Sequence, residues 1–215
     1  MAKKTMNKYA KQNKTIQPLV WVMLALTILL IIIAIILNQT SEQYKIYDDY
    51  SKGLEGASPT LVRDNSITRI SNDNAINMAK GNGTVIILLG GRWNVSTVND
   101  IGVIDAQFRK PISQEPNKEG SDQRKMSDFT QYIHLVELEN DEDIITSVFE
   151  QWVEVFPELG ELRSSTGLLT FKDVPQLMAF HNGEFIATRA EFINSSPIQN
   201  QIRMFYQAVV DKITQ

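Results

Sequence analysis

The apolar and polar positions divide the chain into an N-terminal apolar run and a longer region of alternating patterns. Residues 19–37 contain one threonine and no charged residue. As a helix at about 1.5 Å per residue they would span about 29 Å, close to the hydrocarbon thickness of a bilayer. A cleavable signal peptide is the alternative, but its apolar core is shorter and precedes a small-residue cleavage site. We therefore predict one uncleaved transmembrane helix within residues 18–38.

The region after residue 65 predicts alternating strands and helices. A short strand is expected near Ile67 and Ile70, followed by a helix that Asn72 or Asp73 caps. The apolar run 84–89 is typical of a strand covered on both faces. Further along, the pattern predicts a helix from just after Trp93 to about Lys110, a strand over 132–138, a helix over 141–156, a hairpin over 174–189 and a closing helix near Pro197. This order indicates an α/β fold with helices on both faces of a central sheet.

The remaining segments suggest how the chain is organised. Residues 1–17 form a basic tail, and residues 39–65 are predicted to be a stalk or linker leading to a domain over 66–215. The stalk carries three tyrosines at helical spacing, which favours a short helix or, as the alternative, a partner-binding stripe: Tyr44, Tyr47 and Tyr50. Residues 111–128 contain two prolines, one glycine and many charges, and we interpret them as a surface loop or insertion.

The charges are unevenly distributed along the chain. Residues 1–17 carry five lysines and no acid, which predicts that this end stays in the cytoplasm. The rest of the chain has 16 Lys and Arg against 25 Asp and Glu, a net charge of −9. Such an acidic region is a poor nucleic-acid binder, because phosphate contacts need clustered basic residues. We expect a single-pass protein of the cell membrane, with its C-terminal domain outside the cytoplasm and no nucleic-acid partner.

Few residues of this sequence suggest catalysis or metal binding. The chain has no cysteine, which excludes a disulfide, a thiolate nucleophile and a thiolate metal site. His134 and His181 are the two histidines, and their spacing is not that of metal ligands. The acidic run 137–143 lacks the pattern of a calcium loop and suits a helix N-terminus. We therefore assign no metal, no cofactor and no catalytic residue.

Two segments together resemble the thioredoxin family. Residues 174–184, VPQLMAFHNGE, are similar to the thioredoxin segment that contains a cis-proline and ends in Asn-Gly. The block Ile67 to Asn94 is similar to the family's strand, capped helix, glycine turn, apolar strand and Trp. The resemblance covers about residues 66–213. It implies a thioredoxin-like three-layer fold with a central mixed sheet, in which Pro175 lies beside the turn after Trp93.

The sequence departs from this family at the positions that carry its chemistry. Thioredoxins use Trp-Cys-x-x-Cys, where the helix N-terminus lowers the pKa of the first thiol so that its thiolate attacks a disulfide. Here the matching stretch, residues 93–97, reads WNVST, so that Asn94 and Thr97 stand where the cysteines would be. A shift of one residue would instead place Val95 and Val98 there. The position of the family's buried acid is Leu88. The resemblance therefore implies a member without thiol-disulfide oxidoreductase activity.

The scaffold without its cysteines can still bind an extended peptide, through backbone hydrogen bonds beside the proline. Six residues form the candidate binding site: Trp93, Asn94, Thr97, Val174, Pro175 and Gln176. The alternative is that they only stabilise the fold. In that case Asn94, Ser96 or Thr97 would cap the helix, and Pro175 would constrain a turn.

We expect a non-catalytic, membrane-tethered protein that binds or scaffolds an envelope or secreted protein or peptide. Gly91-Arg92 before the site resembles the bacteriocin-transport accessory proteins of Gram-positive bacteria, which implies a role in bacteriocin export or conjugative transfer. Two alternatives stay open. One is a self-assembling structural component of an envelope complex, since a homo-oligomer is compatible with the sequence. The other is a non-redox hydrolase that uses Ser96 or Thr97 and requires a base within hydrogen-bond reach.

Overall fold

The structure is a computed structural model that describes residues 20–32, 41–113, 115–160, 175–192 and 197–215. The chain divides into two compact units, Met1–Ser41 and Glu42–Gln215. In the first unit residues 20–32 form a helix whose large apolar side chains are exposed. Within the described ranges, no helix has both the length and the apolar character needed to cross a membrane. The predicted span 19–37 extends beyond the described residues at both ends.

The second unit contains five strands and five longer helices among its described residues. The helices are α1 Glu42–Ser51, α2 Asn72–Ala79, α3 Val95–Phe108, α4 Glu142–Val155 and α5 Ile198–Ile213. The strands are β1 Ile67–Arg69, β2 Thr84–Gly90, β3 Ile133–Glu137, β4 Gln176–His181 and β5 Glu184–Thr188. Two short 3₁₀ helices lie at Met126–Asp128 and Arg189–Phe192.

The five strands form one mixed sheet in the order β1-β3-β2-β4-β5. Strand β3 pairs parallel with β1 on one side and with β2 on the other. Strand β4 pairs antiparallel with β2, and β5 pairs antiparallel with β4. The expectation of an α/β fold with a mixed sheet is confirmed. The central strand β2 is hydrogen-bonded on both sides, which sets the positions of its neighbours.

Alternate residues of β2 face the two separate halves of the core. Ile86 and Leu88 belong to a cluster on one face, which also contains residues of α1, α3 and α5. Ile87 and Leu89 belong to a cluster on the other face, which contains residues of α2 and α4. All four side chains are fully buried. The prediction of a strand covered on both faces is therefore confirmed.

The predicted hairpin turn and helix N-termini are confirmed, with one correction to an N-cap residue. Asn182 and Gly183 have φ values of 51° and 83°, as the predicted hairpin turn requires. Asp141 caps α4 by accepting hydrogen bonds from two backbone N–H groups, which explains part of the acidic run. The cap of α2 is Ser71, not Asn72 or Asp73. The helix begins one residue earlier than expected, because the Ser71 hydroxyl accepts from the backbone N–H of Asn74.

Most of the segment predicted as a stalk is part of the folded domain. Helix α1 contributes Ile46 and Tyr50 to the core, and both are fully buried. The chain after α1 is tied to α3, because the Ser58 N–H donates to Asn99 Oδ1 at 2.6 Å. The Ser66 N–H likewise donates to a carboxylate oxygen of Asp105 at 2.7 Å. The helical spacing of the tyrosines predicted this helix. Such spacing cannot show which parts of the fold cover the apolar face of the helix.

The 111–128 segment is exposed over residues 115–120 and anchored to the core at two points. Ile112 and Met126 are buried in the same core cluster as α3 and α5. Their backbone neighbours Pro111 and Lys125 form an isolated antiparallel bridge. The predicted surface loop therefore leaves the domain and returns to it at one place. Residue 114 lies outside the described residues.

Replacing Gly102 with alanine should destabilise the protein, although alanine normally favours a helix interior by about 1 kcal/mol over glycine. A Cβ at residue 102 would collide with the side chain of Thr60 and would lie 2.5 Å from the Leu61 backbone nitrogen. We expect Gly102→Ala to lower the free energy of unfolding by about 1–2 kcal/mol, as overpacking does. Urea unfolding followed by fluorescence measures this loss. Ser96→Ala, at an exposed position of the same helix, is the control, and a stability gain in Gly102→Ala would contradict the packing of 57–61 on α3.

Candidate functional site

The two segments that the sequence singled out meet at one edge of the sheet. Strand β2 ends at Gly90, and the antiparallel strand β4 begins at Gln176, which pairs with Leu89. The turn after Gly90 and Pro175 therefore lie at the same end of the two central strands. Val174, which we also predicted for the site, lies outside the described residues.

Asn94 is the N-cap of α3. Its side-chain oxygen accepts a hydrogen bond from the backbone N–H of Thr97 at 2.8 Å. The Thr97 hydroxyl donates to the same oxygen at 3.2 Å. The two side chains at the expected cysteine positions thus contact each other, and together they satisfy backbone and side-chain donors at the helix start. Asn94 therefore has the helix-capping role that is the structural alternative to binding.

The two glycines before the turn allow close approaches that a side chain would block. A Cβ on Gly90 would lie 2.7 Å from the Cγ2 atom of Thr97. A Cβ on Gly91 would collide with the indole nitrogen of Trp93, which folds back and donates to the Leu138 carbonyl at 2.8 Å. Trp93 is half-buried as a result. The Gly-Gly-Arg-Trp stretch is therefore explained by packing at the strand end.

Three of the five predicted binding residues that the structure describes are buried. Thr97 is fully buried, and Gln176 and Pro175 are buried as well. Side chains of this turn that do reach solvent are those of Arg92, Val95 and Ser96, beside the half-buried Trp93. We call Arg92, Trp93, Val95 and Ser96 the turn surface. We predicted from the sequence that the two segments lie side by side, as observed. The sequence did not indicate which of their side chains are exposed to solvent.

Arg92 belongs to a network of charges that the sequence reasoning missed. Its guanidinium bonds to Glu137 at 2.6 Å and to Asp49 at 3.3 Å. Arg69 bonds to the same two carboxylates, at 2.7 Å and 2.5 Å. The four residues come from β1, the turn, β3 and α1, so no local spacing could have revealed the network. It joins the Arg92 side chain of the turn to α1 through Asp49.

Tyr50 lies under this network. Its side chain is fully buried, and its ring belongs to the core cluster around α1, α3 and α5. Burial, assisted by the negative charge of Glu137, raises the pKa of Tyr50 above its usual range. The phenol therefore stays neutral, and Tyr50 directly follows Asp49 of the network in α1. The tyrosine stripe that we considered as a partner site thus has one member in the interior.

The other candidates for chemistry have structural positions. Burial lowers the pKa of His134, which lies within β3 on a face of the sheet. The ring of His181 hydrogen-bonds to Thr84 and Asn182. Among the described residues, no group of three His, Asp or Glu side chains could hold a metal ion. The hydroxyl of Thr97 is occupied by Asn94, so in this arrangement it is not positioned to attack a substrate.

Comparison with known proteins gives no family assignment: no family model matches the chain, and no curated protein matches it significantly. The interpretation of the site therefore depends on the residues and the geometry described above.

Replacing Asn94 with alanine should lower the free energy of unfolding by about 1 kcal/mol or more, because the cap is lost and the buried Thr97 hydroxyl loses its acceptor. Asn94→Asp should retain most of the stability, since a carboxylate accepts the same bonds and favours the helix N-terminus. Urea unfolding followed by tryptophan fluorescence would measure both. Equal losses in the two variants would contradict the capping role.

Proposed function

We propose that this chain is a membrane-tethered, thioredoxin-like protein without redox activity, which binds an envelope or secreted protein outside the cytoplasm. One observation carries the proposal. Asn94 and Thr97 hydrogen-bond to each other at the strand-to-helix turn where the thioredoxin resemblance expects two cysteines. A site with the position of a redox centre but without its reactive groups is suited to binding.

The sheet supports the thioredoxin-like part of the proposal. A parallel pairing on one side of β2 and an antiparallel hairpin on the other agree with the mixed sheet that the resemblance implies. The buried Pro175 directly precedes β4, beside the end of β2. The lack of cysteine anywhere in this chain excludes thiol-disulfide exchange by its own residues.

The turn surface supports the binding part of the proposal. Val95 is 40% exposed although it is apolar, and it lies next to the partly exposed indole of Trp93. Because the Trp93 indole bonds to Leu138, the exposed acidic stretch that begins at Glu139 lies beside this surface. A partner segment with apolar and basic side chains would complement both features.

The N-terminal sequence supports the tether. Residues 19–37 are apolar and uncharged, five lysines precede them, and the described helix 20–32 carries exposed apolar side chains. Such a segment is favoured in a bilayer, with the lysines on the cytoplasmic side. As the setting we propose an accessory role in secretion, such as bacteriocin export or conjugative transfer.

Photo-crosslinking in cells tests this function. We expect a photoreactive amino acid at Ser96 to capture a discrete extracytoplasmic protein, because Ser96 is exposed on the turn surface. A photoreactive amino acid at Ser147, exposed on helix α4, is the matched control and should not capture that protein. Val95→Lys, introduced into the Ser96 probe, should reduce capture by removing an apolar contact and adding a positive charge that repels a basic partner.

Two results would contradict the proposal. Equal capture from Ser96 and Ser147 would remove the special role of the turn surface. Crosslinks only between copies of this chain would instead favour the self-assembling structural component.

A further inference from the structure

A surface cavity lies at the end of α3 opposite to the turn surface. It has a volume of about 390 Å³ and is formed by the end of α3, the 111–128 segment and the first turns of α5. Its polar and charged lining residues are Gln107, Lys110, Ser113, Gln199, Asn200 and Arg203. The described residues that line it include two cations and no carboxylate. The lining therefore differs in charge from the domain, which has a net negative charge.

Arg203 is the central group of this cavity. Its side chain is buried, with the residue only 9% exposed, and burial lowers the pKa of its guanidinium. Its Nη1 atom donates to the Ile112 carbonyl at 3.2 Å and to Gln207 at 3.1 Å. Across the described residues, no carboxylate pairs with it and its Nε and Nη2 atoms have no acceptor. Neither atom belongs to the buried polar atoms that lack a partner, so both reach solvent and can donate to an anionic ligand.

The neighbouring groups increase the positive character of the cavity. Lys110 lines it and has no ion pair within the described part of the chain. The acid nearest in sequence to this wall, Glu115, pairs with Lys118 at 2.9 Å instead. Helix α5 begins at the cavity, and its N-cap residue Pro197 provides no side-chain cap, so its first N–H groups add partial positive charge.

We propose that this cavity binds a small phosphomonoester, with Arg203 and Lys110 as its charged ligands. The free Nε and Nη2 edge of an arginine matches two oxygens of a phosphate. Two cations balance a phosphomonoester, which carries about −1.5 to −2 charges at pH 7, better than they balance a single carboxylate. The volume is at the lower end of the range of small-molecule sites and leaves room for a small organic group.

Calorimetric titration of the detergent-solubilised full chain with glycerol phosphate tests the site. We expect saturable one-to-one binding at pH 7.5 that weakens at pH 5, where the phosphate loses about one charge. Arg203→Gln should weaken binding about 10-fold or more, as the loss of charged hydrogen bonds does. Lys110→Gln, at an exposed position where folding is not at risk, should weaken it up to about fivefold.

Lys80→Gln is the control, because Lys80 is an exposed lysine that does not line the cavity. Unchanged binding in this variant is expected. Absence of saturable binding, equal binding of acetate, or an equal loss in Lys80→Gln and Lys110→Gln would each overturn the proposal.

Discussion

The pairing of the central strand β2 on both sides is the constraint on which the rest of this domain depends. Parallel bonds to β3 and antiparallel bonds to β4 fix its register, and its alternate side chains fill two separate core clusters. Because β2 ends at Gly90, opposite the start of β4, the turn that follows is held beside Pro175. The position of the candidate site is therefore a consequence of strand register.

At that position the side chains form a stable helix start without a reactive group. Asn94 caps α3 and accepts hydrogen bonds from the backbone N–H and the hydroxyl of Thr97. The preceding glycines have no side chain, so Thr97 and Trp93 pack closely against them. The charge network of Arg69, Arg92, Asp49 and Glu137 then joins the turn to α1. The cap, the packing and the network rigidify the surface that we propose as a binding face.

The sequence predicted those features that depend on nearby residues. The apolar run of β2, the Asn182-Gly183 turn and the apolar stripe of α5 are local signals, and each led to the observed element. The packing of residues 42–65 could not be predicted in this way, because it depends on contacts with α3 and α5, which lie far along the chain. The burial of Thr97 and Gln176 depends on the close approaches at Gly90 and on the sheet register, and neither is visible in residue spacing.

The geometry of the turn can be tested most directly by restoring the missing cysteines. The full chain has no cysteine of its own, so the double variant Asn94→Cys/Thr97→Cys contains one possible disulfide. The two native side chains are in contact, and we predict that mild oxidation closes this disulfide within one molecule, as mass spectrometry would detect. The control Val95→Cys/Val98→Cys should stay reduced, because Val95 is exposed and Val98 is buried in the core. A reduced 94–97 pair, or a 95–98 pair that closes as readily, would contradict the proposal that this turn has the geometry of a thioredoxin active site.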